Sequence, residues 1–179
     1  MSYRTHIVFF VDASKTGMSG VPNFINEVVA GSGCSWETYT FNNGTPVWRD
    51  EPLNFRRSGE TCELYKSLLN VIDRTGKNLA VEAEYARPEK VLFVLVVGNG
   101  DTTGDETARS EVVEAISRQY YGYKWRFMTI GQNAKEVGAK LELFEHMSMN
   151  ATVLSGYAVS EMRRVIYDAK TYGDCGFRN

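Results

Sequence analysis

Thr5-His-Ile-Val-Phe-Phe-Val-Asp-Ala-Ser-Lys-Thr-Gly-Met-Ser-Gly20 decides the reading of this chain. Ile7 to Val11 is an uncharged run of strand formers, and it empties at once into Asp12, Ser14 and Thr16. An apolar run of that length without alternation is the pattern of a strand buried on both faces. A carboxylate and two hydroxyls directly behind it place hard oxygen donors at the carboxyl edge of a sheet, where open α/β proteins bind ligands.

Working outward, strands and helices alternate. The first strand is read as Thr5 to Val11, followed by a helix from Pro22 to Ala30 with Val21, Phe24, Ile25, Val28 and Val29 on its apolar face. Ser35 to Phe41 alternates as a strand, Asn42-Asn43-Gly44 is a tight-turn signal, and Thr45 to Trp48 returns as a hairpin. Leu64, Leu68, Leu69, Val71 and Ile72 recur at helical spacing, with Arg74-Thr75-Gly76 predicted to close that helix and a short one to follow over Leu79 to Tyr85. Lys90 to Val97 is the most hydrophobic strand and ends in the polar loop Gly98 to Gly104. A helix carrying Val112, Val113, Ala115 and Ile116 follows, capped by Asp105 or a neighbouring Thr. Then come a strand over Lys124 to Ile130, a helix over Ala134 to Leu141, a short strand over Met147 to Ala151, and a final helix marked by Val153, Tyr157, Val159, Met162, Val165 and Ile166. The pattern predicts an α/β fold: a three-layer α/β/α sandwich, Rossmann-like, with a mainly parallel sheet and one antiparallel edge strand.

The 179 residues suit a single domain over 1–179, with 1–4 and 173–179 expected as flexible tails. A net charge of −2 with scattered basic residues argues against nucleic acid as a partner. The longest uncharged hydrophobic stretch, Val91 to Val97, is too short to cross a bilayer, and the first residues lack a signal-peptide core. No membrane association and a cytoplasmic location are therefore expected. Cys34, Cys62 and Cys175 are odd in number and widely spaced, as in a reduced compartment rather than a disulfide framework or paired-Cys zinc site.

Asp12-Ala-Ser14-Lys-Thr16 followed by Met18-Ser19-Gly20 resembles the Asp-x-Ser-x-Ser opening of the metal-ion-dependent adhesion site in von Willebrand factor A domains. Thr stands for the last Ser, and one extra residue precedes Met. The order of elements matches that family over nearly the whole chain. More narrowly, Thr5-His6-Ile7-Val8-Phe9-Phe10, Phe127-Met-Thr-Ile-Gly-Gln-Asn-Ala134 and the helix with Tyr157-Ala-Val-Ser160 and Met162-Arg-Arg164 are similar to small stand-alone domains of this type encoded by bacteriophages and some bacteria. Such an origin implies host cytoplasm or a virion.

The resemblance implies a site for Mg²⁺ or Mn²⁺ built from Asp12, Ser14 and Thr16, a Thr from a second loop and an Asp from a third. The second loop reads Gly59-Glu-Thr61-Cys62-Glu-Leu64-Tyr65, which puts Cys62 at the Thr position unless the loop shifts to use Thr61. The third puts neutral Asn99 at the Asp position, with Asp101 and Asp105 as compensating ligands. A thiol suits a hard cation poorly, and exchanging a carboxylate for an amide removes a full charge from the shell. The expectation is a weak or degenerate cation site, or none, whose open position would take an acidic side chain of a protein partner. The bland alternative is that these are ordinary turn and helix-cap residues.

The function expected is thus a non-enzymatic protein-interaction module. Its alternative is a metal-independent structural or assembly component of a phage particle, binding virion proteins or itself. A Mg-dependent phosphotransferase is a distant third: Asp12 sits where such an enzyme holds its nucleophile, but the second Asp expected two residues on is Ser14. No Ser or Cys motif of nucleophilic type accompanies His6 or His146 in the sequence. Tyr120, Tyr121 and Tyr123, beside Trp125, are the candidate partner-binding aromatics, with edge and core packing as the plain alternative.

Overall fold

A computed structural model describes residues 4–12, 20–42, 45–47 and 62–178. Six strands form one sheet in the order β3-β2-β1-β4-β5-β6: β1 (Thr5–Asp12), β2 (Ser35–Asn42), β3 (Thr45–Val47), β4 (Lys90–Val97), β5 (Arg126–Gly131) and β6 (Ser148–Asn150). All neighbours are parallel except β2 and β3, which form the antiparallel hairpin. The chain steps outward from β1 to β3, then returns to the other side of β1 as β4. That reversal makes the β1/β4 gap the switch point of the sheet, where the loops at the strand C-termini diverge and leave a crevice.

The two uncharged runs are the two central strands. Residues Ile7 to Val11 are 0% exposed, as are Phe93 to Val97. Fully burying such side chains stabilises by about 1.5–3 kcal/mol each. Alternation divides the side chains between two cores. Ile7, Phe9, Val11, Leu92, Val94 and Val96 face α1 (Val21–Val29) and α5 (Tyr157–Tyr172). Val8, Phe10, Tyr39, Phe93, Leu95 and Val97 face α2 (Leu64–Ala80), α3 (Glu106–Tyr123) and α4 (Ala134–Lys140). The α/β/α sandwich with one antiparallel edge strand is therefore the fold.

Several boundaries differ from the sequence reading. Gly76 does not close α2, which continues to Ala80; the glycine packs where a Cβ would lie 4.0 Å from the Trp125 ring, so packing overrides its low helix propensity. In place of a helix over Leu79 to Tyr85 there is only a 3-10 turn at Glu84–Ala86. Strand β5 starts at Arg126 because Lys124 adopts a left-handed conformation, φ 60°, at the C-cap of α3. The last helix starts at Tyr157, after Gly156 at φ 54°. The C-terminal segment is anchored rather than loose up to Arg178: Cys175 and Phe177 are buried, and the Phe177 N–H donates to the His146 carbonyl at 2.7 Å. The turn residues Asn43 and Gly44 lie outside the described residues.

Candidate functional site

The end of β1 and the loop after β4 meet at the switch point. Val11 pairs with Val96, so the Asp12 backbone stands level with the last residue of β4, after which comes the loop that carries Asn99, Asp101 and Asp105. The Asp12 side chain, Ser14, Thr16 and Thr61 lie outside the described residues. In the third loop, Asp101, Thr102 and Asp105 accept from backbone N–H groups of the helices and loops beside them.

Asp101 is the centre of that arrangement. One carboxylate oxygen accepts from the Tyr65 N–H in the first turn of α2 at 3.0 Å, and the other accepts from the Thr103 N–H at 2.8 Å and from the Thr103 hydroxyl. A carboxylate at a helix N-terminus satisfies an orphan donor and complements the positive end of the helix dipole. The same two loops are joined by a reciprocal pair: the Cys62 N–H donates to Thr102 Oγ1 at 2.7 Å, and the Thr102 N–H donates to the Cys62 carbonyl at 3.0 Å. Cys62 is fully buried in the α2/α3 core and is not a loop ligand exposed to solvent. Asp105 caps α3 by accepting from the Ala108 N–H at 3.0 Å. Burial first, and the Asp101 charge second, push the Tyr65 phenol above its ordinary pKa.

Asn99 is exposed, and its side-chain oxygen accepts from Asn133 Nδ2 at 3.2 Å, across from the loop after β5. That neighbouring loop is equally tight. Gln132 N–H donates to the Val97 carbonyl at 3.2 Å, and a Cβ on Gly131, φ 139°, would lie 2.0 Å from that oxygen. Asn150, at the end of β6, accepts from the first turn of α4 through Lys135 N–H at 2.9 Å. As donors to Mg²⁺ or Mn²⁺ the third loop thus offers one neutral amide and two carboxylates that already serve as caps, a poor charge complement for a hard cation. Among the described residues no group of three or more His, Cys, Asp or Glu side chains is placed to hold a metal ion.

The predicted aromatics lie at the opposite edge, because α3 runs from the C-terminal to the N-terminal side of the sheet. Tyr120 is half-buried, with Tyr121 edge-on at 4.9 Å, Phe144 at 5.8 Å and the Arg126 guanidinium 4.5 Å above its ring. Arg126 is held in turn by Asp174 at 3.3 Å. Tyr120, Tyr121, Phe144, Ile116, Leu143 and Met147 line a groove of about 220 Å³. Tyr121 is 73% exposed and Tyr123, outside the groove, is 69% exposed. Two further cavities open at this edge, one of about 530 Å³ over Trp125, Ile72 and Gly76, and one of about 340 Å³ over His6, Ser35 and Glu37.

Sequence reasoning missed the bond from Thr102 to the second loop, which joins residues 40 apart, Cys62 and Thr102. It also passed over Ser35 and Glu37 beside His6. No sequence motif joins them, but in the fold Ser35 Oγ lies 2.8 Å from His6 Nδ1. The strand alternation Ser35-x-Glu37-x-Tyr39 was the available signal.

No helix among the described residues is long and apolar enough to cross a membrane, and Cys34, Cys62 and Cys175 are free thiols. The chain matches no protein-family model and no curated protein. It is similar in fold to proximal thread matrix protein 1 of the mussel byssus, seen in two structures. In crystal form 2 the identity is 14%, covering 93% of this chain and 47% of that one, with a TM-score of 0.61. In the other the identity is 12%, covering 99% and 48%, with a TM-score of 0.57. This chain spans about half the length of those proteins, and what the likeness shows is the α/β fold.

Proposed function

We propose that this chain is a non-enzymatic protein-interaction module of von Willebrand factor A type with a weak divalent-cation site. Asp12, Ser14 and Thr16, with Thr61 and Asn99, would hold Mg²⁺ or Mn²⁺ and leave a position for an acidic side chain of the partner. The observation that carries the weak-site reading is the engagement of Asp101 and Asp105 as helix caps, which takes both third-loop carboxylates out of the shell and leaves Asp12 as the carboxylate of the proposed set. A single formal charge with neutral oxygens is the low-affinity end of hard-cation sites. Loaded at ten times a millimolar dissociation constant, such a site adds about 1.4 kcal/mol, a rise in melting temperature of about 3–6 °C for a domain of this size. Thermal unfolding in chelator and in Mg²⁺ or Mn²⁺ tests this: the rise should vanish in Asp12→Ala. No rise, or one that survives Asp12→Ala, removes the cation from the account.

A metal-independent structural role, in a phage particle or through self-association, is the second reading. It is favoured by Tyr121 and Phe144, exposed at 73% and 51% beside an apolar groove at the other edge of the sheet. Exposed aromatics around a groove are the residue types that anchor protein interfaces. Proteins of similar fold are named as matrix components of the mussel byssus, which accords with a structural or interaction role. Chelator separates the two readings, since association through the groove is indifferent to it and sensitive to Tyr121→Ser.

A further inference from the structure

We propose that Ser35, His6 and Glu37 form a nucleophilic site at the N-terminal edge of the sheet, able to cleave small polar carboxylic esters through an acyl-serine. The site departs from the non-enzymatic reading at this edge alone: it lies opposite Asp12, and the partner binding proposed there does not depend on it.

The sheet itself assembles the three side chains. His6 of β1 is the register partner of Ser35 on β2, and Glu37 lies two residues further along the same face of β2. Ser35 Oγ is 2.8 Å from His6 Nδ1, and Glu37 Oε1 is 3.4 Å from His6 Nε2. A carboxylate at Nε2 favours the tautomer with its proton there, which leaves the Nδ1 lone pair to receive the Ser35 hydroxyl proton. Nucleophile, base and orienting acid in mutual reach is the signature of an activated serine, whichever ring nitrogen faces which partner. The histidine side chain is 15% exposed and the glutamate 25%, so the pair is sheltered without being sealed. Ser35 is exposed, as an attacking group must be.

A cavity of about 340 Å³ opens over the three residues, large enough for a short ester. Thr75 and Asn78 of α2 contribute to its wall. Thr75 is 1% exposed and its hydroxyl has no hydrogen-bond partner among the described residues, a cost that a buried polar group ordinarily avoids. The exposed Asn78 amide is the group which the wall offers to an acyl oxygen, with the Thr75 hydroxyl buried behind it. Arg4 and Glu82 complete a polar rim. Together with Glu37 they are the charged groups around His6.

In the reaction Ser35 Oγ bonds to the ester carbonyl carbon and its proton passes to His6 Nδ1. The carbon–oxygen bond to the alcohol then breaks, and the departing oxygen takes the proton from His6. Water next attacks the acyl carbon, gives a proton to the same nitrogen, and releases the carboxylic acid as Ser35 recovers its hydrogen. Ser35 and His6 are the catalytic residues, and Glu37 is a positioning residue.

The intact chain treated with a fluorophosphonate, and separately with p-nitrophenyl acetate, tests the proposal. Mass spectrometry should find one phosphonyl adduct, on Ser35, and Ser35→Ala at this exposed position should abolish both adduct and ester turnover. His6→Gln should slow both by about a hundredfold, the usual worth of a positioned general base. Glu37→Gln should lower kcat and leave KM unchanged, a split that a purely structural carboxylate would not produce. An adduct elsewhere, no adduct, or labelling of Ser35 at the same rate in folded His6→Gln overturns the proposal; an unchanged kcat in Glu37→Gln overturns the part given to Glu37. Should His6→Gln fail to fold, the labelling of the wild-type chain and of Ser35→Ala decides.

Discussion

The two edges of this sheet use polar and aromatic residues in opposite ways. At the C-terminal edge the side chains of Asp101, Thr102, Asp105 and Asn150 accept from backbone N–H groups, all four acting on helix first turns or on the loop leading into one. At the N-terminal edge the helices end among exposed apolar side chains: Val81 after α2, Tyr121 and Tyr123 on α3, and Tyr172 at the end of α5. A doubly wound sheet makes this division natural, because every helix that follows a strand begins at one edge, where its orphan donors need acceptors, and finishes at the other. Asp101 and Asp105, which look like ligands in the sequence, are thereby drawn into capping. The exposed aromatic side chains of α3 lie at the opposite edge.

The comparison can be broken by substitution. The largest effect is expected for Gly131→Ala, which puts a Cβ on the Val97 carbonyl at φ 139°; a loss of about 3 kcal/mol or more in urea denaturation is expected. A neutral outcome would mean that the C-terminal edge is looser than described. Next is Tyr120→Ala, which removes the ring under Arg126 and beside Phe144 and should cost about 1–2 kcal/mol by the same measurement. Tyr121→Ser, one residue on, should change stability by less than about 0.5 kcal/mol because its ring is mostly in water. Equal losses at the two tyrosines would contradict the assignment of one to packing and the other to the surface.

The C-terminal segment ties the two edges together and titrates. Arg164 hydrogen-bonds Glu161 at 2.9 Å and the Gly176 carbonyl at 2.8 Å, while Glu161 also accepts from the Arg178 N–H at 3.1 Å. The Arg164 hydrogen bond holds the Glu161 carboxyl below its ordinary value of 4.5. Its stabilising contribution is complete above that value and is lost as pH falls through the lower, folded-state value. Glu161→Gln should therefore show a shallower loss of melting temperature below pH 4.5 than the wild-type chain.

Strands were legible where composition left no alternative. The uncharged runs Ile7 to Val11 and Val91 to Val97 fit only a strand buried on both faces, and they fixed the centre of the fold. The hairpin was legible through Asn42-Asn43-Gly44, since a tight turn between two strand patterns demands those residue types. Helix α2 was cut short because Gly76 reads as a stop until Trp125, 49 residues away in the chain, is seen packed beside it. The candidate cation site was legible only as a list of oxygen donors. Asp101 could be counted as a ligand because no local pattern reveals that Tyr65, 36 residues earlier, would claim its carboxylate. The Ser35–His6–Glu37 cluster was hidden for the same reason: it exists only in the parallel register of β1 with β2.

Asp101→Ala unfolded by urea, once in chelator and once in millimolar Mg²⁺, tests most directly whether the third loop caps helices or binds metal. A capping carboxylate predicts the same loss, about 1–2 kcal/mol, in both solutions. A loss that appears only with Mg²⁺ present would make Asp101 a metal ligand and contradict the account.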